Sequence, residues 1–352
     1  MWSSDAFLER LYAWTLENSA DRMMGDSAKE QMLETKQQQL RERLLDAAGI
    51  RHVFLEREPL QPELLERREQ DGLVVEKLIY TTYAGLRVPV YALYPRERQG
   101  RMPAVLACHG HGIGHRAALG LNADGLVADE RGIHNCFAVQ LARRGLFVLV
   151  PEMMGFGDRR LQAHLEQDPS ASSYSCLPIA LQLLMCGTTL AGVRISESLV
   201  ALDYLETREE VDSGRIGTFG FSGGGLVASL TAAVDMRIRA AVLCGYASTY
   251  VGSILQVPHC VDNYIPGLLQ VAEQPDLLGL LAPRPLFIES GEQDAVFPIQ
   301  PAREAIRRLE AIYAEFGAVE RLDFDIFLGG HEISGRRSFD WLASRLSEEG
   351  PS

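Results

Sequence analysis

Short apolar segments alternate with longer amphipathic segments along most of this chain, and this alternation restricts the fold more than any other feature. Several apolar segments lack the polar alternation of half-exposed strands, as expected when helices cover both faces of a sheet. The repetition of strand and helix predicts an α/β fold with a doubly wound, mostly parallel sheet. The predicted strands are 104–108, 147–150, 216–219, 240–244, 285–290 and 323–328, and the predicted helices include 136–143, 195–206, 226–233, 302–316 and 339–348.

The first part of the chain has a different pattern. Residues 1–70 carry apolar side chains at helical spacing, which predicts an N-terminal extension of two or three helices packed on a main domain over 71–352. Such an extension would act as a cap or as a dimer face, so the sequence does not decide whether the protein forms a homo-oligomer. At the start of the main domain, apolar stretches near 74–79 and 86–94 flank a turn and predict an antiparallel hairpin.

Two proline-containing segments, 159–190 and 248–283, interrupt the regular alternation. Both follow predicted strands, and ligands in open α/β sheets bind at the carboxyl ends of the strands. The two segments are therefore predicted to form the walls of a pocket. The pocket candidates beside the motifs described below are Phe221, Tyr246, His259 and Phe297.

The chain is acidic: 34 Lys and Arg residues stand against 47 Asp and Glu residues, for a formal net charge of −13. An acidic surface repels nucleic acid and anionic lipid, so neither is expected as a partner. The N-terminal residues lack a basic start followed by an apolar core, and no apolar run reaches the roughly 18 residues of a membrane span. A soluble cytoplasmic protein acting on a small molecule is predicted.

A glycine-rich turn joins the predicted strand 216–219 to the helix 226–233. It contains the pattern G-x-S-x-G, with Ser222 between Gly220 and Gly224. On such a strand–turn–helix unit a serine adopts a strained backbone that projects its hydroxyl from the sheet. A phosphate-binding loop would need a lysine at a fixed spacing, which is not present here. Ser222 is therefore predicted to be a nucleophile.

A serine needs a base, and the base needs an acid, in the order serine, acid, histidine along this type of fold. Of the two histidines after Ser222, His331 follows the last predicted strand in a Gly-Gly-His turn, whereas His259 lies in an irregular segment. Glu289, Glu292 and Asp294 follow or belong to the preceding strand. Asp294 stands in the loop beyond that strand, so Asp294 and His331 are the predicted acid and base.

The sequence His-Gly-His-Gly, from His109 to Gly112, follows the predicted strand 104–108. One interpretation is an oxyanion loop, in which the backbone N–H near His111 or Gly112 acts together with that of Gly223. The other is a metal site of His109, His111 and His115, as in barrel metal hydrolases. The strand–serine–helix unit favours the first, with His109 in a structural role.

The six cysteines include no C-x-x-C pair, so a thiolate metal site is not expected. Several stand inside apolar runs, which predicts reduced and mostly buried thiols. A disulfide between Cys176 and Cys260 stays open.

Taken together, these motifs resemble the α/β-hydrolase superfamily, on the branch that contains acetyl xylan esterases and dienelactone-hydrolase-like proteins. The similarity covers roughly residues 70–345. It implies ester hydrolysis by Ser222, Asp294 and His331, without a metal or another cofactor. The branch differs internally: dienelactone hydrolases commonly use a cysteine nucleophile, and many acetyl xylan esterases have tyrosine where this chain has His111. The resembling stretches are 108–112, 151–158, 220–224, 291–294 and 329–331.

The predicted function is that of a serine carboxylesterase for small esters, acetyl esters among them, with an acyl-enzyme intermediate. Two alternatives stay open. A serine peptidase acting on short peptides would use the same three residues in the same order. A metal-dependent amidohydrolase would use the His-x-His loop instead, and would lose activity with a chelator.

Overall fold

A single nine-stranded sheet forms the centre of the computed structural model, which describes residues 4–19, 30–53, 57–83, 85–168 and 174–348. The spatial order of the strands is β1-β2-β3-β5-β4-β6-β7-β8-β9. In chain order the strands are β1 Glu63–Gln70, β2 Leu73–Thr81, β3 Arg87–Pro95, β4 Met102–Cys108, β5 Phe147–Pro151, β6 Val211–Phe221, β7 Ile238–Cys244, β8 Leu286–Gly291 and β9 Leu322–Phe327.

Strands β4 to β9 pair in parallel, while β1, β2 and β3 pair antiparallel at one end of the sheet. The predicted mostly parallel sheet and the hairpin, β2–β3, are both confirmed. Strand β1 was not predicted, because its residues lie inside the stretch 1–70, interpreted as helical. Every residue of β1 is at least partly exposed, and its charged sequence has no apolar face to indicate a strand.

Helices cover the sheet on both faces, and each of the five predicted helices is present. The described helices are α1 Ser4–Glu17, α2 Glu30–Ala47, α3 Ile50–Val53, α4 His115–Leu119, α5 Phe137–Ala142, α6 Gln162–Gln167, α7 Cys176–Met185, α8 Leu190–Thr207, α9 Gly223–Val234, α10 Leu268–Val271, α11 Gln274–Leu278, α12 Ile299–Glu315 and α13 Ser338–Ser347. Buried side chains of α8, α9 and α12 form one large core, and those of α5 and α13 form a second core on the opposite face.

Helices α8 and α12, which both cover the sheet, differ in their sequence patterns. Helix α12 is amphipathic: Ala302, Ile306 and Leu309 recur at helical spacing and are buried. Helix α8 is buried on nearly all sides, so Ser196 and Ser198 also lie in the interior. The helical spacing of apolar residues therefore indicates which face of α12 is buried. The burial of α8 on nearly all sides depends instead on the elements that pack around it.

Helix α2 packs against the rest of the chain by polar contacts as well as apolar ones. The side-chain amide of Gln37 donates to the carbonyl oxygen of Ala282 at 2.8 Å, and the Arg41 guanidinium donates to that of Ala233 at 2.8 Å. Leu40 and Leu44, on the same helix, are fully buried. These contacts fix α2 against the end of α9 and the segment before β8.

No single helix in the described ranges is long and apolar enough to cross a membrane, although α7 and α8, which meet at a 94° bend, satisfy the length and composition criteria as a pair.

Candidate active site

Ser222 occupies the turn between β6 and α9, where the chain reverses within a single residue. Its φ of 54° and ψ of −122° lie outside the regions that serine ordinarily adopts. The turn is held because the Ser222 N–H donates to the carbonyl oxygen of Cys244 at 2.9 Å on the adjacent strand. The surrounding structure therefore holds the hydroxyl above the carboxyl end of the sheet.

Glycine is required on both sides of Ser222 for steric reasons. A Cβ atom on Gly220 would lie 2.5 Å from the Cβ of Ala228, and one on Gly224 would lie 2.1 Å from the carbonyl oxygen of Cys108. Both distances are far below van der Waals contact. The G-x-S-x-G pattern thus allows α9 to approach β4 and β6 closely enough to position the serine.

Asp294 lies in the turn after β8 and is nearly fully buried. Its Oδ1 accepts hydrogen bonds from the backbone N–H groups of Val296 and Phe297, both at 2.8 Å. Its Oδ2 lies 2.8 Å from Nδ1 of His331. The backbone bonds fix the rotation of the carboxylate, so that the second oxygen is directed at the imidazole.

His331 joins the other two side chains. Its Nε2 lies 2.8 Å from Ser222 Oγ, while Nδ1 contacts Asp294. The ring lies between two aromatic side chains, with centroid distances of 5.0 Å to Phe221 and 5.8 Å to Phe297. The three residues predicted to act together are thus within hydrogen-bonding distance in the order serine, histidine, aspartate. This arrangement can move a proton from the serine to the imidazole while the carboxylate fixes the tautomer.

The other carboxylates considered as the acid lie elsewhere. Glu289, in β8, is buried and accepts hydrogen bonds from the backbone of Ser334 and Gly335 and from the Ser338 hydroxyl. Glu292 is half-exposed and pairs with Arg303. Burial raises the pKa of Glu289. Its partners stabilise the chain that follows His331 and do not include the imidazole.

The predicted oxyanion loop lies beside the serine. Gly223 is the first residue of α9, and a Cβ atom there would lie 2.9 Å from Cε1 of His111. The N–H of Gly110 is already donated to Nε2 of His134 at 3.1 Å. The Gly110 N–H is therefore already engaged, whereas the predicted donors are the N–H groups of His111 and Gly112, the next two residues of the loop.

His109 and His115 are directed away from the serine, toward a buried carboxylate at the end of β5. His109 Nε2 lies 3.1 Å from Glu152 Oε1 and also accepts from the Met153 N–H at 3.1 Å. The backbone N–H of His115 donates to Oε1 of Glu152 at 2.9 Å. Burial lowers the pKa of His115 to about 4. Glu152 thus contacts both ends of the segment from His109 to His115, and these contacts hold the loop.

His134 was not identified from the sequence, because nothing near it resembles a motif. Burial lowers its pKa to about 3, so it is neutral at pH 7 and its Nε2 can accept the Gly110 N–H. An unfolded histidine titrates near pH ~6.5. Between these values the unfolded chain binds the extra proton, so this residue makes the protein less stable as pH falls from about 6.5 toward 3.

We expect His134→Gln to reduce this acid sensitivity, since the glutamine oxygen can still accept the Gly110 N–H. The slope of the unfolding free energy against pH, between pH ~4.5 and ~6, should become shallower by up to about 1.4 kcal/mol per pH unit. Urea unfolding at several pH values measures it, with His164→Gln as the control for the loss of a histidine. Identical slopes for wild type and His134→Gln would contradict the assignment.

A cavity of about 190 Å³ opens at Ser222 and Gly223. Its walls include Tyr174 from the first irregular segment and Pro258, His259, Cys260 and Asn263 from the second, as predicted for 159–190 and 248–283, of which 169–173 lie outside the described residues. The remaining lining residues are His111, Val296, Phe297 and His331.

Two of the four predicted pocket residues, His259 and Phe297, line this cavity. The prediction is wrong for the other two. Phe221 is fully buried and packs edge-on against His134 and beneath the ring of His331. Tyr246 is 1% exposed and packs against Gly225. Phe221 ends β6 and Tyr246 lies two residues after β7, and the side chains of both are buried in the layers that support the site.

Arg194 is almost fully buried in α8. It forms an ion pair of 2.5 Å with Asp262 and donates to the carbonyl oxygen of Met154. One of its nitrogens also lies 3.2 Å from the sulfur of Cys176. The arginine thus connects the second irregular segment to the first and to the chain after β5.

All six cysteines are free thiols, so Cys176 and Cys260 are not bonded to each other in this structure. The prediction of buried thiols is correct for Cys108, Cys176 and Cys244, but Cys186 is exposed. A hydrogen bond from Cys260, together with the charge of Arg194, lowers the pKa of Cys176. This thiol pair lies beside the cavity, and no sequence motif marks it.

Comparisons with known proteins agree with this architecture. The profile of the Abhydrolase family matches residues 26–308, a range that includes Ser222 and Asp294. The protein named Putative hydrolase YtaP, of Bacillus subtilis (strain 168), is 32% identical over 271 residues, which are 75% of this chain and 85% of that protein.

Solved structures share the fold at low sequence identity. A putative acetyl xylan esterase from Bacteroides fragilis NCTC 9343 superposes with a TM-score of 0.75 at 18% identity, covering 93% of this chain and 83% of that one. A glucuronoyl esterase from Solibacter usitatus gives a TM-score of 0.64 at 15% identity, over 88% of this chain and 92% of that one.

Proposed function

The chain belongs to the Abhydrolase family, and within it we propose that this protein is a serine carboxylesterase that cleaves esters of small acyl groups through an acyl-enzyme on Ser222. One observation carries the proposal: Ser222 Oγ, the two nitrogens of His331 and Asp294 Oδ2 form a continuous chain with both contacts at 2.8 Å. This chain begins on a strained serine at the floor of a cavity.

The reaction proceeds in two acyl transfers. His331 Nε2 takes the proton of Ser222 as Oγ attacks the ester carbonyl, and Asp294 stabilises the imidazolium. The tetrahedral intermediate collapses when the alcohol leaves with that proton. Water then attacks the acyl-enzyme with His331 again as base, and the acid is released as Ser222 recovers its proton.

The negative charge of the tetrahedral intermediate develops next to the first turn of α9. The Gly223 N–H at this helix start, together with an N–H of His111 or Gly112, provides the two donors of an oxyanion hole. Because Gly110 is held by His134 and the loop is held by Glu152, these donors are positioned before substrate binds.

We expect the cavity beside Ser222 to hold the acyl group. Its volume is about 190 Å³, and Val296 and Phe297 line it together with His331. A structural neighbour is a putative acetyl xylan esterase, which supports acetyl esters as the proposed substrates. The chain-length series below measures how long an acyl group the cavity accepts.

The direct test is hydrolysis of p-nitrophenyl esters from acetate to octanoate, with and without EDTA, by wild type, Ser222→Ala and Ser213→Ala. Ser213 lies exposed at the far end of the same strand and controls for substitution in β6. We expect wild type and Ser213→Ala to prefer acetate and to lose no activity with EDTA. A fluorophosphonate should label both and leave Ser222→Ala unlabelled.

The alternatives predict other outcomes. Activity that survives Ser222→Ala and is lost with EDTA would replace the proposal by a metal-dependent hydrolase. Labelling of Ser222 without ester hydrolysis, combined with cleavage of short peptides, would make the protein a serine peptidase. In the described part of the chain, His109, His111 and His115 do not form a common ligand set.

A further inference from the structure

Three soft metal-ligating side chains meet at one wall of the catalytic cavity. His111 comes from the oxyanion loop, Cys176 begins α7, and Cys260 lies in the second irregular segment. One ligand atom from each lies within 4.8 Å of the other two, and within the described ranges this is the one His, Cys, Asp or Glu group that meets this criterion. Residues distant in sequence thus converge on one point.

The ligand types select the ion. One imidazole nitrogen and two thiolate sulfurs suit Zn²⁺, which binds Zn–S at about 2.3 Å and Zn–N at about 2.0–2.1 Å, and they do not suit Mg²⁺ or Ca²⁺. In a tetrahedral site these bond lengths separate the ligand atoms by roughly 3.5–3.8 Å. Side-chain rotations that move each ligand atom by about 1 Å or less would therefore bring the three atoms to the distances of a zinc site.

The charge of the surroundings also permits the ion. Zn²⁺ with two thiolates is neutral, and the neighbouring Arg194 and Asp262 already neutralise each other through their 2.5 Å contact. Arg194 donates to the sulfur of Cys176 at 3.2 Å, which would support that thiolate as a ligand. The buried site therefore gains no uncompensated charge when the metal binds.

A second observation indicates that the site is built for a ligand. Nε2 of His111 is a buried atom, and the imidazole lies against the Cys176 thiol of the same group. The ring is held edge-on between Phe156 and Tyr174, with centroid distances of 5.0 and 5.2 Å. His111 and Cys260 line the cavity that also contains Ser222, so an ion can enter from there.

We propose that His111, Cys176 and Cys260 form an inhibitory Zn²⁺ site whose fourth coordination position faces the catalytic cavity. The ion joins the two irregular segments to the oxyanion loop. It also fixes the imidazole of His111 close to Gly223, where the oxyanion must form. Inhibition rests on the proposed esterase function, whereas binding of the metal does not.

The test uses the full-length protein, kept reduced with a phosphine and stripped of metal. Zn²⁺ affinity is measured by competition with a chromogenic chelator for wild type, Cys176→Ser and Cys186→Ser. Cys186 is an exposed thiol outside the group and serves as the matched control. We expect one Zn²⁺ per wild-type and Cys186→Ser chain, and an affinity at least about 100-fold weaker for Cys176→Ser. Co²⁺ should show sulfur-to-metal charge-transfer absorption with the first two proteins and a weaker band with the third.

Ester hydrolysis is then followed against Zn²⁺ concentration. We expect inhibition of wild type with the same midpoint as binding, reversal by EDTA, and a midpoint raised at least about 100-fold in Cys176→Ser. Equal affinities in wild type and Cys176→Ser would overturn the site. Equal inhibition of wild type and Cys176→Ser would also overturn the site, because the inhibitory ion would then bind without Cys176, at His331. Tight binding to a wild-type protein without esterase activity would leave the metal site standing and refute the proposed function instead.

Discussion

Ser222→Ala and His331→Ala should each lower kcat for p-nitrophenyl acetate by about 10⁶-fold, and the double variant should be no slower than either single variant. Serine is a weak nucleophile without a base, and the imidazole has nothing to deprotonate without the serine. Their contact of 2.8 Å makes them one unit. Steady-state kinetics on the three variants measures the effect, and circular dichroism checks that each is folded.

His259→Ala provides the matched control, since this second histidine also follows Ser222 and lines the same cavity. Its ring lies 4.8 Å from that of Phe297 and contacts neither Ser222 nor Asp294 in the described hydrogen bonds. We expect KM to change and kcat to fall less than tenfold. A loss of several orders of magnitude in His259→Ala, with a mild effect of His331→Ala, would transfer the role of base to His259.

Asp294→Asn should lower kcat by about 10⁴-fold without unfolding the protein. The asparagine oxygen can still accept from the N–H groups of Val296 and Phe297, so the turn keeps its shape. Its amide then donates to Nδ1 of His331. That forces the proton onto Nε2, which can no longer accept the proton of Ser222. Kinetics at several pH values, together with thermal unfolding, separates this effect from a loss of stability.

Glu292→Gln and Glu289→Gln are the controls for this prediction. Glu292 is half-exposed beside Arg303, so its substitution should leave both kcat and stability unchanged. Glu289 accepts hydrogen bonds from the backbone of the chain after His331. Its substitution should therefore lower the melting temperature and leave kcat of the folded protein nearly unchanged. An Asp294→Asn variant with kcat within tenfold of wild type would remove Asp294 from the proposed mechanism.

The predictions that succeeded from sequence rest on local rules. Period and apolar runs identify β4 to β9 and the helices α5, α8, α9 and α12 between them, because parallel strands buried on both faces are apolar throughout. The turn at Ser222 is identified by glycines on both sides, whose Cβ atoms would clash with Ala228 and Cys108. The proximity of His331 and Asp294 to Ser222 follows from their positions after the last two strands, since those strand ends share one edge of the sheet.

Other features have no local signal. Strand β1 is charged and exposed, so only its pairing with β2 makes it a strand. Phe221 and Tyr246 were predicted to line the pocket because they stand beside motifs in the sequence. Both side chains are buried instead, and their direction depends on the residues that pack against the sheet. His134 supports the oxyanion loop from 24 residues beyond Gly110, a contact that exists only because the chain returns there.

The alternation of β4 to β9 with α5, α8, α9 and α12, the glycine-flanked serine turn and the positions of the three residues proposed for catalysis were determined by the sequence alone, because each depends on periodicity, on glycine at fixed positions or on the ends of strands. The cavity and the group of His111, Cys176 and Cys260 were decided only by the tertiary structure. They are built from irregular segments whose conformation depends on distant partners such as Arg194 and Asp262, and no local pattern encodes a contact across 68 residues.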